Sequence, residues 1–166
     1  MKTKMTMVIS LMTATLLLTA CGEGGSSDSS SALTTITGKV ADGYLVGAKV
    51  CLDLNLDSYC GSDEPSAVTE TGGVYSLTAS PSAFASYPIV ANIDVFVVDE
   101  DDNKTVAQDY TLSAVPGEKF ISPISTMVRG YMVSKDLTLA EAREQTAEVL
   151  GISVTGGVKI GSIEAA

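Results

Sequence analysis

Lys49-Val50-Cys51-Leu52-Asp53-Leu54-Asn55-Leu56-Asp57-Ser58-Tyr59-Cys60-Gly61-Ser62-Asp63-Glu64-Pro65 is the most informative stretch of the chain. Val50, Leu52, Leu54 and Leu56 alternate with Cys51, Asp53, Asn55 and Asp57. A period of two sends the two sets to opposite faces of a strand, so one face is apolar and the other carries a thiol and a column of oxygens. The oxygens run on to Asp63 and Glu64, with a second thiol, Cys60, among them. Two readings follow: a disulfide clip, and a loop that holds a cation.

The flanks are β-like. Upstream, Thr34 to Val40 is rich in β-branched residues and runs into the turn signal Asp42-Gly43, with Tyr44 to Leu56 as the next strand region. Downstream, Ala67-Val68-Thr69 and Val74-Tyr75-Ser76-Leu77 flank a turn at Thr71-Gly72-Gly73. Pro81 to Tyr87 reads as a loop, and Ile89 to Val98 as the most apolar, central strand. Asp99 to Lys104 reads as a hairpin tip from which Thr105 to Leu112 returns. Short strands with regular turn signals predict an antiparallel sandwich over residues 32–116.

Gly38-Lys39-Val40, then Asp42-Gly43-Tyr44-Leu45-Val46-Gly47-Ala48-Lys49-Val50, then Thr69-Glu70-Thr71-Gly72-Gly73-Val74-Tyr75-Ser76-Leu77 resembles the carboxypeptidase-regulatory-like family. The resemblance covers roughly Ile36 to Leu77 and implies a prealbumin-like β-sandwich in a bacterial cell-surface setting, with no catalytic residue. The Asp53-to-Pro65 insert is similar to loops of related surface-repeat modules, some of which bind calcium.

Residues 117–153 predict a helical hairpin packed on the sandwich. Ser122-Pro123 is a helix start, with serine as N-cap and proline at the first helical position. Ile124, Val128, Tyr131 and Met132 recur on one face of that helix. Thr138 and Glu141 form a capping box for a second helix, ended by Gly151, whose apolar face is Leu139, Ala142, Ala147, Val149 and Leu150. The fold expected is therefore mainly β, an antiparallel prealbumin-like β-sandwich followed by two short α-helices. Residues 154–166 read as a weakly patterned tail, or the start of a truncated continuation.

At the other end, Lys2 and Lys4 precede an apolar run from Met7 to Leu18 that is shorter than the roughly 20 residues a membrane span needs. This is a secretory pattern. Leu18-Thr19-Ala20-Cys21-Gly22 resembles the lipobox of bacterial lipoproteins. That resemblance implies a signal peptide over residues 1–20, lipidation of Cys21 and, through Gly22, sorting to the outer membrane. Residues 21–31, rich in glycine and serine, would be a flexible tether.

With Cys21 assigned to lipid, Cys51 and Cys60 remain as an even pair in an oxidising compartment, which points to a disulfide. A reduced buried pair and a thiolate metal site are the alternatives. Asp53, Asn55, Asp57, Tyr59, Gly61 and Glu64 fall at positions 1, 3, 5, 7, 9 and 12 of the EF-hand pattern. That spacing makes Asp53, Asn55, Asp57, Tyr59 (through its carbonyl) and Glu64 the expected calcium ligands, although Ser58 stands where a glycine is usual. The plainer reading is a solvated acidic loop tied by the disulfide.

Composition narrows the function. The formal net charge is −10, and residues 1–20 contain two lysines and no acid, so the remainder carries −12. Such a balance argues against nucleic acid and against adsorption to anionic lipid. Between Lys49 and Lys104 there is no Lys or Arg, and ten acids fall there, from Asp53 to Asp102. The absence of histidine removes Ser-His-Asp and Cys-His catalysis and the usual His-containing zinc sites. Paired carboxylates in short acidic loops lack the apolar pocket that raises one pKa for glycoside hydrolysis. The expectation is a non-catalytic, membrane-anchored surface lipoprotein acting as a structural or adhesive module. Its partners would be the membrane, through Cys21, and a protein or glycan at the cell surface. The alternative is a calcium- or carbohydrate-binding accessory module, in which Tyr44, Tyr59, Tyr75 or Tyr87 would converge on a concave patch.

Overall fold

The computed structural model describes residues 32–152. The expectations for the signal peptide, Cys21, the tether and residues 154–166 lie outside the described residues. Among the described residues the chain is mainly β, in largely antiparallel sheets, with three short α-helices.

Strand β1 (Thr34–Val40) pairs antiparallel with β5 (Val74–Ala79), Thr34 opposite Ala79 and Lys39 opposite Val74. On its other side β1 pairs in parallel with β10 (Phe120–Ile121). A second sheet runs in the order β4 (Ser66–Val68), β3 (Lys49–Leu52), β6 (Ile89–Ile93) and β9 (Tyr110–Ala114), all antiparallel. A small third sheet joins β2 (Leu45–Val46), β7 (Val98–Asp99) and β8 (Lys104–Thr105). Alternation places Val40, Tyr75, Leu77 and Ile121 of the first sheet in one buried cluster with Val50, Leu52, Ile89, Ala91 and Leu112 of the second.

Two glycines fix the first sheet. A side chain at Gly38 would land on the Lys119 carbonyl and on the Tyr75 hydroxyl, which donates to that carbonyl at 2.9 Å. Gly73, at φ +64°, sits against the Val40 carbonyl, where a Cβ would collide with backbone. Only glycine combines that φ with that approach.

Several sequence expectations are corrected. Pro81–Ser86 is a helix, α1, not a loop, so there are three helices rather than two. Ser80 caps it by accepting from the Ala83 N–H at 3.2 Å, and Pro81 supplies the preset φ of a first turn. The strand expected over Ile89 to Val98 breaks after Ile93, because the Asp94 carboxylate takes the Phe96 N–H and its carbonyl takes the Val97 N–H. Its first half, β6, is interior to its sheet as expected. Strand β10 lies within the segment assigned to helices and belongs to the first sheet.

The C-terminal helices begin where the caps place them. α2 (Pro123–Lys135) has reciprocal Ser122–Ser125 bonds, and α3 (Leu139–Val149) has the Thr138–Glu141 capping box. The bonds from Thr138 hold the Glu141 carboxyl below its ordinary range. Val128, Ala142 and Val115 bury together, with Tyr131, Met132 and Leu139 half-buried around them. Val149 and Leu150, expected on that face, are exposed at the end of α3.

Candidate functional site

Strand β3 stops at Leu52, so the alternation read through Leu56 fails after two apolar positions. Leu54 and Leu56 are exposed. The physical reason is Asp53, which is fully buried. Its Oδ1 accepts the Asp57 N–H and its Oδ2 the Ser58 N–H, both at 3.1 Å. A chain that bends back onto its own carboxylate cannot remain extended. Leu56 and Ser58 adopt left-handed φ values of +62° to make the bend. Ser58, standing where glycine is usual in calcium loops, thus takes the conformation that glycine favours.

The loop closes over the outer face of the second sheet. Cys51 and Cys60 are joined there, with Sγ atoms 2.12 Å apart, and pack on Val90. Asn92 of β6 ties the same corner: its Oδ1 accepts the Cys60 N–H at 2.7 Å, and its amide donates to the Ser58 carbonyl and to Thr111 Oγ1. Lys49 Nζ donates to the Cys60 carbonyl at 2.8 Å. Glu64 closes the far side, accepting from the N–H groups of Leu54 at 2.8 Å and Gly61 at 3.0 Å.

A second cation reaches in from a distant helix. Arg129 of α2 places Nη2 at 3.3 Å from Asp53 Oδ2 and Nη1 at 3.4 Å from Ser58 Oγ. Its side chain is only 15% exposed. Nothing in the sequence near the loop marks this partner, because Arg129 lies 76 positions from Asp53.

The residues expected to hold calcium are therefore distributed as follows. Asp53 is buried against Arg129, Glu64 binds two backbone N–H groups, and Asp57 accepts from the Tyr59 N–H at 2.8 Å and from the Asn55 amide at 2.9 Å. In this arrangement the carboxylates already serve as acceptors for the protein. Among the described residues no three His, Cys, Asp or Glu side chains gather as a metal-holding group.

The tyrosines also separate. Tyr75 is in the core, where burial drives its phenol well above the ordinary range, and Tyr87 packs against that core. Tyr59 projects from the loop. The tip at residues 99–104 is the hairpin of β7 and β8, with Lys104 Nζ 2.9 Å from Asp102, whose carboxyl it holds low through that hydrogen bond.

No family model, curated protein or solved structure matches the chain.

A cleft opens beside the loop. It measures about 360 Å³ and is lined by Leu56 and Ser58 of the loop, Thr111 and Ser113 of β9, and Thr126, Arg129, Gly130 and Val133 of α2.

Proposed function

We propose that the chain is a non-catalytic surface module, a prealbumin-like β-sandwich anchored to the outer membrane through a lipidated Cys21. The observation that carries the non-catalytic reading is the buried Asp53–Arg129 pair. In the acidic loop from Asp53 to Glu64, Asp53 fastens the loop to helix α2, and Asp57 and Glu64 accept from groups of the loop itself. Two sheets contributing side chains to one core support the sandwich reading. The membrane reading rests on Leu18-Thr19-Ala20-Cys21. Substituting Cys21→Ser should abolish fatty-acid labelling and release the protein from the membrane fraction. A variant that stays acylated and membrane-bound overturns the anchor.

Calcium binding at Asp53, Asn55, Asp57, Tyr59 and Glu64 is the competing reading. It requires Asp53 to exchange Arg129 for the ion. Melting in millimolar calcium and in chelator tests it: equal temperatures leave the loop a structural clamp. A calcium-dependent rise that Asp57→Ala abolishes, and Asp101→Ala keeps, establishes the site.

A further inference from the structure

We infer that the cleft between the disulfide loop and α2 binds the carboxyl-terminal end of an extended, aliphatic peptide. This inference rests on the surface-module reading and names the partner such a module would take.

The first observation is a strand edge. Ser113 N–H donates to Thr126 Oγ1 at 2.8 Å, and its carbonyl accepts from Ser125 Oγ at 2.7 Å. Both groups therefore face away from β6 and toward α2. Backbone groups in an antiparallel strand alternate in direction with a period of two, so those of Thr111 face the same way. Ser113 is satisfied by the helix, and Thr111, which lines the cleft, presents its groups on the same side of the strand. An extended chain is the ligand that supplies both a donor and an acceptor to such an edge.

The second observation is Gly130. It sits mid-helix in α2, where glycine costs about 1 kcal/mol relative to alanine. A Cβ there would meet nothing within 4 Å, so packing does not require the glycine. Its consequence is an open floor for the cleft. One helical turn on, Val133 is 76% exposed, and across from it Leu56 is 61% exposed in a left-handed conformation that a branched aliphatic residue adopts at some expense. These two side chains are the exposed aliphatic part of the cleft lining.

The free donors of Arg129 select the end of the peptide. Arg129 is the only charged residue lining the cleft. A guanidinium has five N–H donors, and hydrogen bonds to Asp53 and Ser58 engage Nη2 and Nη1. A terminal carboxylate beside Arg129 takes the remaining donors, while the chain behind it pairs with Thr111.

The test uses the full chain carrying Cys21→Ser and a short fluorescein-labelled peptide of alternating serine and valine with a free terminal carboxylate. Fluorescence anisotropy should show saturable binding below about 1 mM. Capping the terminus as an amide should weaken it about tenfold, and methylating alternate backbone nitrogens should abolish it. Gly130→Leu fills the floor: it should abolish binding while leaving the melting temperature equal or higher. Leu56→Gly should likewise weaken binding without loss of stability. No saturable binding, equal binding of the amidated peptide, or undiminished binding by Gly130→Leu would each overturn the proposal. Fatty-acid labelling of Cys21 is read separately, so failure of the anchor and failure of the cleft are distinguishable.

Discussion

Arg129 Nη2 lies 3.3 Å from Asp53 Oδ2, and this contact joins helix α2 to a carboxylate with no exposure to solvent. Two backbone N–H groups from the loop complete the acceptor's environment. The pair holds together parts of the chain that belong to different structural layers. Truncating the cation strands a buried negative charge, which is the expensive way to break such a pair. Arg129→Met should destabilise the protein by roughly 3 kcal/mol in denaturant titration. Adding Asp53→Asn to that variant should recover part of the loss. An unchanged midpoint for Arg129→Met would show that solvent or the loop N–H groups suffice for Asp53.

The Cys51–Cys60 bridge closes a short loop beneath which Val90 is buried. Removing both cysteines as alanines should lower stability by about 2–3 kcal/mol, chiefly by freeing the unfolded chain. Peptide mapping without reductant should recover the two cysteines in one linked fragment. Recovery of both as free thiols in exported protein contradicts the bridge.

Gly38 and Gly73 are places where one methyl group is too many. Gly73→Ala combines an unfavourable left-handed φ with a collision on the Val40 carbonyl, and Gly38→Ala pushes on Lys119 and Tyr75. Each should cost roughly 1–3 kcal/mol, and Gly130→Ala, with open space around it, should cost nothing. The three melting temperatures, compared in one buffer, give the ranking. Equal losses at all three positions would contradict this account of the first sheet.

Alkaline pH should weaken the fold through two tyrosines. Burial, then Asp42 and Asp99 nearby, push the Tyr110 phenol up to about 12, and burial alone drives Tyr75 higher still. An unfolded tyrosine ionises near 10. The unfolded state therefore releases protons first, and stability present below pH 10 is lost as pH rises through that window. Ultraviolet titration of the six tyrosines should show two that ionise late or only on unfolding. Tyr110→Phe should remove one of them. Ionisation of all six together near pH 10, with the fold intact, contradicts these assignments.

What could be read from the sequence alone was local. Strand β1, the Thr71-to-Gly73 turn, the β7–β8 hairpin and the caps at Ser122 and Thr138 each depend on residues within a few positions of one another. Their signals are periodicity, turn chemistry and short side-chain-to-backbone bonds, which need no knowledge of the rest of the fold. The pairing of Cys51 with Cys60 followed from counting thiols once Cys21 was set aside. The tertiary structure alone decided where the strand beginning at Lys49 ends. Leu54 and Leu56 continue its alternation, but Asp53 is buried, where a charge must be paired and hydrogen-bonded, and its partners are two loop N–H groups and Arg129 from 76 positions away. The parallel pairing of β10 with β1, the tie from Asn92 to the loop and the cleft floor at Gly130 are decided in the same way. Each is a contact between distant segments, whose energy comes from being brought together and leaves no trace in the order of neighbouring residues.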